Sequence, residues 1–248
     1  MNNQIKGIII KHVDYKEADS ILNVLTPKDG KQTIYARGIR KITSKNASSC
    51  MLYGYSNFSL LERNANSEMR LLKFSENIDN FYSIREDLIR GTIASMLVEI
   101  VDRINDDTEI VFNILYESLI LLKDCKQPFC LLALFVSKIN EQQGIALNVD
   151  ECVICHKKNN IVGISSINGG FTCNDHHEDI IRFSSEELKK IRYITKITLE
   201  KYQILEEYGN YSYQLVQLFM NILIEYSGMY LNSYKVLNAI VKNLNIEG

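Results

Sequence analysis

The sequence predicts an α+β chain: a small five-stranded barrel at the N-terminus, then an α-helical domain interrupted by a cysteine-bearing insertion. Three observations predict it. Short β-branched runs separated by turn residues fill positions 5–74. After Asp79 the apolar period changes from two to three-and-four. Between positions 150 and 178 the helical pattern gives way to paired cysteines and glycines. The expected boundaries are therefore 1–79 for the barrel and 80–248 for the helical domain, with 150–178 as its insertion.

The elements follow in order. Ile5–Val13 is rich in β-branched residues, and Ser20–Thr26 alternates through Ile21, Asn23, Val24 and Leu25. Pro27-Lys28-Asp29-Gly30 is a turn, because Pro presets φ and Asp-Gly tolerates the positive φ of a tight hairpin. Gln32–Ala36 resumes the strand pattern, a small-polar loop follows at Thr43–Ser49, and Tyr53–Leu61 and Met69–Phe74 complete five strands. Five short strands with one long loop after the third suggest a small barrel. Ile84, Leu88, Ile93, Met96, Leu97, Ile100, Val101 and Ile104 then mark one amphipathic helix. Ile110–Leu122 and Phe129–Gln142 continue the pattern, with Pro128 at a helix start and Gly144 as a stop. Ser184-Ser185-Glu186-Glu187 is a capping-box signature, and Tyr213–Tyr230 is a long apolar-striped helix.

Composition bounds the function. With 46% hydrophobic and 23% charged residues in 248, the chain can bury a core and resembles an ordinary globular protein. No run approaches the roughly 20 apolar residues of a membrane span. Only Ile8–Ile10 is apolar near the N-terminus, which is not a signal peptide, so a cytosolic protein is expected. Nucleotide-binding loops of the G-x-x-x-x-G-K-[ST] and G-x-G-x-x-G types are missing, as are G-x-S-x-G and H-E-x-x-H. His12, on a strand, is the one histidine outside the cysteine insertion, and an enzyme is not expected.

Six cysteines in such a chain read as thiols or metal ligands rather than disulfides. Cys50, Cys125 and Cys130 sit singly in apolar or mixed settings and read as buried thiols. Cys152-Val-Ile-Cys155 followed by Cys173-Asn-Asp-His176 is instead a two-knuckle zinc spacing, C-x2-C-x17-C-x2-H. Each knuckle sets two ligands on a tight turn, and Gly169-Gly170 gives the returning chain its latitude. His176 is the expected fourth ligand, with His177 and His156 as competitors. Four protein ligands leave no position for a reacting water, so the metal would be structural. The alternative is three reduced cysteines on a loop without metal.

Charge is uneven. Net charge is −2 overall, yet residues 1–80 carry 12 Lys and Arg against 8 Asp and Glu. From Lys31 to Leu61 there are five basic residues, Lys31, Arg37, Arg40, Lys41 and Lys45, and no acid. The cluster ends a barrel strand beside Gly38, which permits close backbone approach. A positive groove that tracks phosphates, with aromatics that stack bases, is how small oligonucleotide-binding barrels work. Tyr35, Tyr53, Tyr55 and Phe58 are the nearby aromatic candidates. A solvated basic face is the plainer reading of the same residues.

The segments KGIIIKHVDYKEADSILNVLTPKDGK, YARGIRK and CVICHKKNNIVGISSINGGFTC, in that order along the chain, resemble the bacterial RecO family of DNA repair and recombination proteins. The resemblance runs essentially end to end. It implies an N-terminal OB fold, a helical domain and a zinc ribbon holding one structural Zn2+ on Cys152, Cys155, Cys173 and His176; the family's usual fourth ligand is Cys. It implies a non-enzymatic recombination mediator that binds single- and double-stranded DNA and anneals complementary strands. Working with RecR, such a mediator loads RecA onto strands coated by single-strand-binding protein, in the bacterial cytoplasm at the nucleoid. The family's DNA contacts fall on Arg37, Arg40, Lys41 and Lys45. The competing class is a zinc-stabilised adaptor that binds other repair proteins with little DNA contact.

Overall fold

The computed structural model describes residues 3–61, 69–104, 108–178 and 180–245. Five N-terminal strands close a barrel in the order β1-β2-β3-β5-β4. They are β1 (Gln4–Tyr15), β2 (Asp19–Thr26), β3 (Gly30–Ala36), β4 (Tyr55–Leu60) and β5 (Arg70–Asp79). Neighbours are antiparallel except β3 and β5, which run parallel through Ile34↔Arg70 and Tyr35↔Leu71. This is the five-stranded OB arrangement. Ile9, Leu22, Val24, Ile34, Phe58 and Leu60 fill it, so the alternation in the sequence is the alternation between core and outer face. The Pro27–Gly30 turn forms as expected, with the Thr26 hydroxyl accepting from the Asp29 N–H at 3.0 Å.

The fourth strand begins later than its pattern suggests. Tyr53 takes a left-handed φ of 51° and is buried, and pairing starts at Tyr55. The long loop ahead of it is held against β5, which loses its β3 neighbour beyond Leu71. There the Asn46 side-chain oxygen accepts the Ser75 N–H at 3.0 Å, and the buried Ser49 and Ser75 hydroxyls lie 2.6 Å apart. At Ser75 the edge of β5 is thus satisfied by side chains rather than by another strand.

The apolar stripe from Ile84 to Ile104 is two helices, not one: α1 (Tyr82–Arg85) and α2 (Leu88–Arg103). The break is Asp87, whose extended backbone and carboxylate, accepting the Arg90 N–H at 2.9 Å, make it an N-cap. Period alone does not see a cap inside a continuous stripe. α2 packs on β1, and α3 (Thr108–Leu122) packs on β2 and β3. A first compact unit comprises Met1–Asp124 with Leu231–Ile240, so the change from strand to helix near residue 80 lies inside it. Its later segment is the start of α8 (Asn232–Asn243), a helix the stripe reading did not single out. Glu99 of α2 caps α8, accepting the N–H groups of Asn232 and Ser233 at 2.9 Å each.

The second unit comprises Cys125–Tyr230 with Val241–Gly248. Its centre is α4 (Pro128–Gln142), buried from Cys130 to Ser137 and packed by α5 (Ser185–Lys196), α6 (Tyr202–Tyr208) and α7 (Tyr213–Ser227). The Ser184 capping box is present: Ser184 Oγ accepts the Glu187 N–H at 3.2 Å, and Glu187 accepts the Ser184 N–H at 2.7 Å. A three-stranded sheet, order β7-β6-β8, carries the insertion on β6 (Ile161–Ser165), β7 (Gly170–Cys173) and β8 (Ile181–Arg182).

Candidate functional site

The insertion brings Cys152, Cys155, Cys173 and His176 together, with their ligand atoms all within 4.8 Å of one another. Cys155 Sγ and Cys173 Sγ are 3.7 Å apart, while His176 Nδ1 lies 3.4 Å from Cys173 Sγ and 3.8 Å from Cys152 Sγ. A tetrahedron with metal–sulfur bonds of about 2.3 Å and a metal–nitrogen bond of about 2.0 Å has edges of about 3.8 and 3.5 Å. The donor set and its spacing fit a tetrahedral metal ion. His156 is turned away onto Glu151 at 2.7 Å, and His177 donates to the Asn174 carbonyl, so neither competitor joins the cluster.

The local sequence explains the closure. Cys173 ends β7 and leads into a single helical turn that lifts His176 back over the sulfurs. Gly169 has φ +68°, and Gly170 lies so near Asn148 that an added Cβ would sit 2.4 Å from its carbonyl oxygen. The backbone of Asn148 therefore reaches both Gly169 and Phe171, at 2.9 Å each, which fixes β7 beside the first knuckle. Burial pushes the Cys152 thiol up, but backbone N–H groups from Cys155, Cys173 and Ile154 outweigh it and bring it down to about 6. That array favours a thiolate, the form that binds metal. Cys50, Cys125 and Cys130 are buried thiols, as their settings imply; burial pushes Cys50 up to about 11.

The basic stretch lies at one end of the barrel. Ala36 ends β3, Gly38 turns with φ +62°, and Arg37, Arg40, Lys41 and Lys45 are all exposed. Free of acids in sequence, the stretch is not free of them in space. The Arg40 N–H bonds the Ala18 carbonyl at 3.0 Å and its guanidinium lies 3.2 Å from the Asp14 carboxylate. Asp19 accepts from the Gly38 N–H at 2.7 Å and from the Tyr35 hydroxyl. Those two donors, Tyr35 first, hold its carboxyl below the usual range, with Lys16 and Arg37 adding to the effect. The loop is thereby laid against the β1–β2 turn, which adds Lys16 to the cluster.

Lys31 belongs elsewhere. Its ammonium donates to the carbonyls of Asp102, at 2.8 Å, and Ile104, where α2 ends. The aromatic candidates also divide. Phe58 is in the barrel core, Tyr53 is buried with the Arg85 guanidinium 4.0 Å over its ring, and Tyr55 packs on Phe112 and Tyr116 of α3. Tyr35 alone stays at the basic end, edge-on to Tyr15 at 5.8 Å, with the Lys16 ammonium over both rings.

Sequence comparison meets this geometry. The family model described as Recombination protein O N terminal matches residues 1–81, and the one described as Recombination protein O C terminal matches residues 85–228. The chain belongs to the RecO family. The DNA repair protein RecO of Bacillus cytotoxicus is 28% identical over 248 residues, which cover 98% of this chain and 99% of that protein. Those of Bacillus cereus and Bacillus anthracis match to the same extent. The RecO N-terminal match ends where β5 passes into α1, and the C-terminal match takes in the whole Cys3His cluster. No helix among the described residues is long and apolar enough to cross a membrane.

Sequence reading missed Lys16 and Tyr15 at the basic end of this RecO barrel. A signal was available: a hairpin turn one strand pair before the basic loop must lie next to it when β1, β2 and β3 are sequential neighbours.

Proposed function

We propose that this protein is a non-enzymatic recombination mediator in bacterial DNA repair, and that the barrel end built by Arg37, Arg40, Lys41 and Lys16 is its nucleic-acid contact. The observation that carries the reading is the meeting of four exposed cations with the Tyr15–Tyr35 pair on an OB barrel. Lys45, farther along the same loop, extends it. Phosphates replace water around the cations, and a base has a tyrosine face beside them on which to stack. The Arg40–Asp14 pair is exposed, so exchanging Asp14 for a phosphate costs little.

The relatives' name says DNA repair, and the finer role is what the resemblance to the RecO family implies. The protein would bind single and double strands and anneal complementary ones, since neutralising two polyanions lets them approach. It would act with RecR and single-strand-binding protein to load recombinase, in the cytoplasm at the nucleoid. One Zn2+ on Cys152, Cys155, Cys173 and His176 would hold the insertion folded without taking part in chemistry. The net charge of −2 favours, as a second reading, an adaptor that binds repair proteins and touches DNA little.

Anisotropy titrations of a single-stranded oligonucleotide across a salt series separate the two. Each phosphate contact contributes about 0.7 to the log–log salt slope for single strands, so replacing Arg37, Arg40 and Lys41 together by Ala flattens it by roughly 2. Circular dichroism stays unchanged because the three side chains are exposed. An unchanged affinity and slope in the triple variant would remove the assignment, and no binding by the wild type at low salt would favour the adaptor.

A further inference from the structure

Ile42 is the most exposed large hydrophobic side chain among the described residues, at 105% of its reference area. Three residues earlier in the same loop, Ile39 is 3% exposed and sits in the barrel core. The tip is not slack chain. The Lys41 N–H bonds Gly38 at 3.2 Å, the Ser44 N–H bonds Lys41 at 2.9 Å, and Arg40 and Asn46 tie the two arms to Ala18 and Ser75. A built loop therefore holds a bare isoleucine in water, forfeiting the burial that apolar side chains otherwise gain. Its neighbours on the loop are Arg40, Lys41 and Lys45, all exposed.

We propose that Ile42 is an apolar wedge that enters between stacked bases of a nucleic acid held by the surrounding cations. The inference rests on the phosphate-contacting reading of this barrel end and adds what its tip does there. Cations before and after the apex follow the sugar-phosphate backbone, so the apex faces the bases. A β-branched side chain is stiff and has no polar atom to compete for base edges, the requirement for a wedge that separates a base step. The separated bases can then stack on Tyr15 and Tyr35 or meet a complementary strand. An anionic lipid surface also attracts basic, apolar-tipped loops. It needs a broad apolar face, however, and here one large apolar side chain is exposed on a loop of charged and polar residues.

The test uses single-stranded oligonucleotides containing 2-aminopurine, whose fluorescence rises when it is unstacked. At saturation the full-length wild type raises the signal, Ile42→Leu keeps the rise and Ile42→Ser loses it. Ile42→Ser keeps the wild-type salt slope, because an apolar contact releases no counterions. Its affinity falls by about tenfold or less, since the burial of one isoleucine is offset by the cost of unstacking. A full rise with bound Ile42→Ser, or no rise with bound wild type, overturns the wedge while leaving the phosphate contact standing. Absence of wild-type binding at low salt overturns both. Vesicles of phosphatidylglycerol and phosphatidylcholine form the last arm: wild-type binding lost in Ile42→Ser, with equal 2-aminopurine signals, assigns the tip to lipid and overturns the proposal.

Discussion

Lys31→Met separates a structural cation from a DNA-binding one. The side chain is half-buried, and its ammonium serves the Asp102 and Ile104 carbonyls, which lie where α2 runs out of intrahelical donors. Hydrogen bonds from a charged group are worth about 1.5–3 kcal/mol each, and a cation at a helix C-terminus adds about 0.3–1 kcal/mol. Part of this is offset. Burial pulls the Lys31 pKa down, Asp102 opposes that pull, and Lys11 adds to it, so removing the charge also relieves a desolvation cost. A net loss of about 2 kcal/mol remains, close to the cost of leaving two part-buried carbonyls unpaired. With a urea m-value of about 2 kcal/mol/M, the midpoint falls by about 1 M. Urea unfolding followed by circular dichroism measures that shift, and a salt series of single-strand binding measures the other possibility. Lys31→Met should lower the midpoint and leave the salt slope alone. An unchanged midpoint with a slope flatter by about 0.7 would mean that Lys31 leaves α2 for a phosphate, refuting the reasoning.

Two further outcomes are expected. Metal analysis of purified wild type should find about one zinc per chain, and Cys152→Ser should release it and expose residues 150–178 to protease while the barrel stays folded; substoichiometric zinc with protease sensitivity unchanged by chelation would contradict a structural metal. Glu99 is depressed below its ordinary 4.5: burial raises it, but the Ser233 hydroxyl and the N–H groups of Ser233 and Asn232 outweigh burial. A lowered carboxyl binds fewer protons in the folded state, so its contribution is full above 4.5 and fades as pH falls through the folded value. Glu99→Gln should therefore cost about 1 kcal/mol at neutral pH, as a lost cap does, and flatten the acid limb of thermal melts as pH falls below 4.5. Parallel melting curves for the two proteins across that range would argue against it.

Much of the fold was legible because it is local. Strand alternation, the Pro27–Gly30 turn, the Ser184–Glu187 capping box and the C-x2-C knuckle each depend on residues within a few positions of one another. The structure forms each of them, the alternation most plainly in β2 and β4. The Cys3His cluster was legible for the same reason, since each knuckle is a short turn and only the 17-residue return is long. What was missed is non-local, with one local exception. Asp87 breaks the Ile84–Ile104 stripe because a cap needs only one good acceptor, which a count of apolar residues ignores. Tyr53 and Tyr55 pattern as strand residues free to meet a ligand, but α1 and α3 bring Arg85, Phe112 and Tyr116 over them.

The basic stretch shows where the two sources divide. Its composition and the glycine that turns it were determined by the sequence alone, because charge and conformational freedom belong to the residues themselves. Which cations face solvent was decided by tertiary structure. Lys31 and Tyr35 share the outer face of β3, yet the end of α2 covers one and leaves the other beside Tyr15. A period of two states which face a side chain is on, but not what arrives from 71 residues away to cover that face. Likewise Asp14 and Asp19 lie outside the acid-free run and reach it only because β1, β2 and β3 are adjacent in the barrel. Coulomb interaction depends on distance through space, and the pairing of β1, β2 and β3 sets that distance.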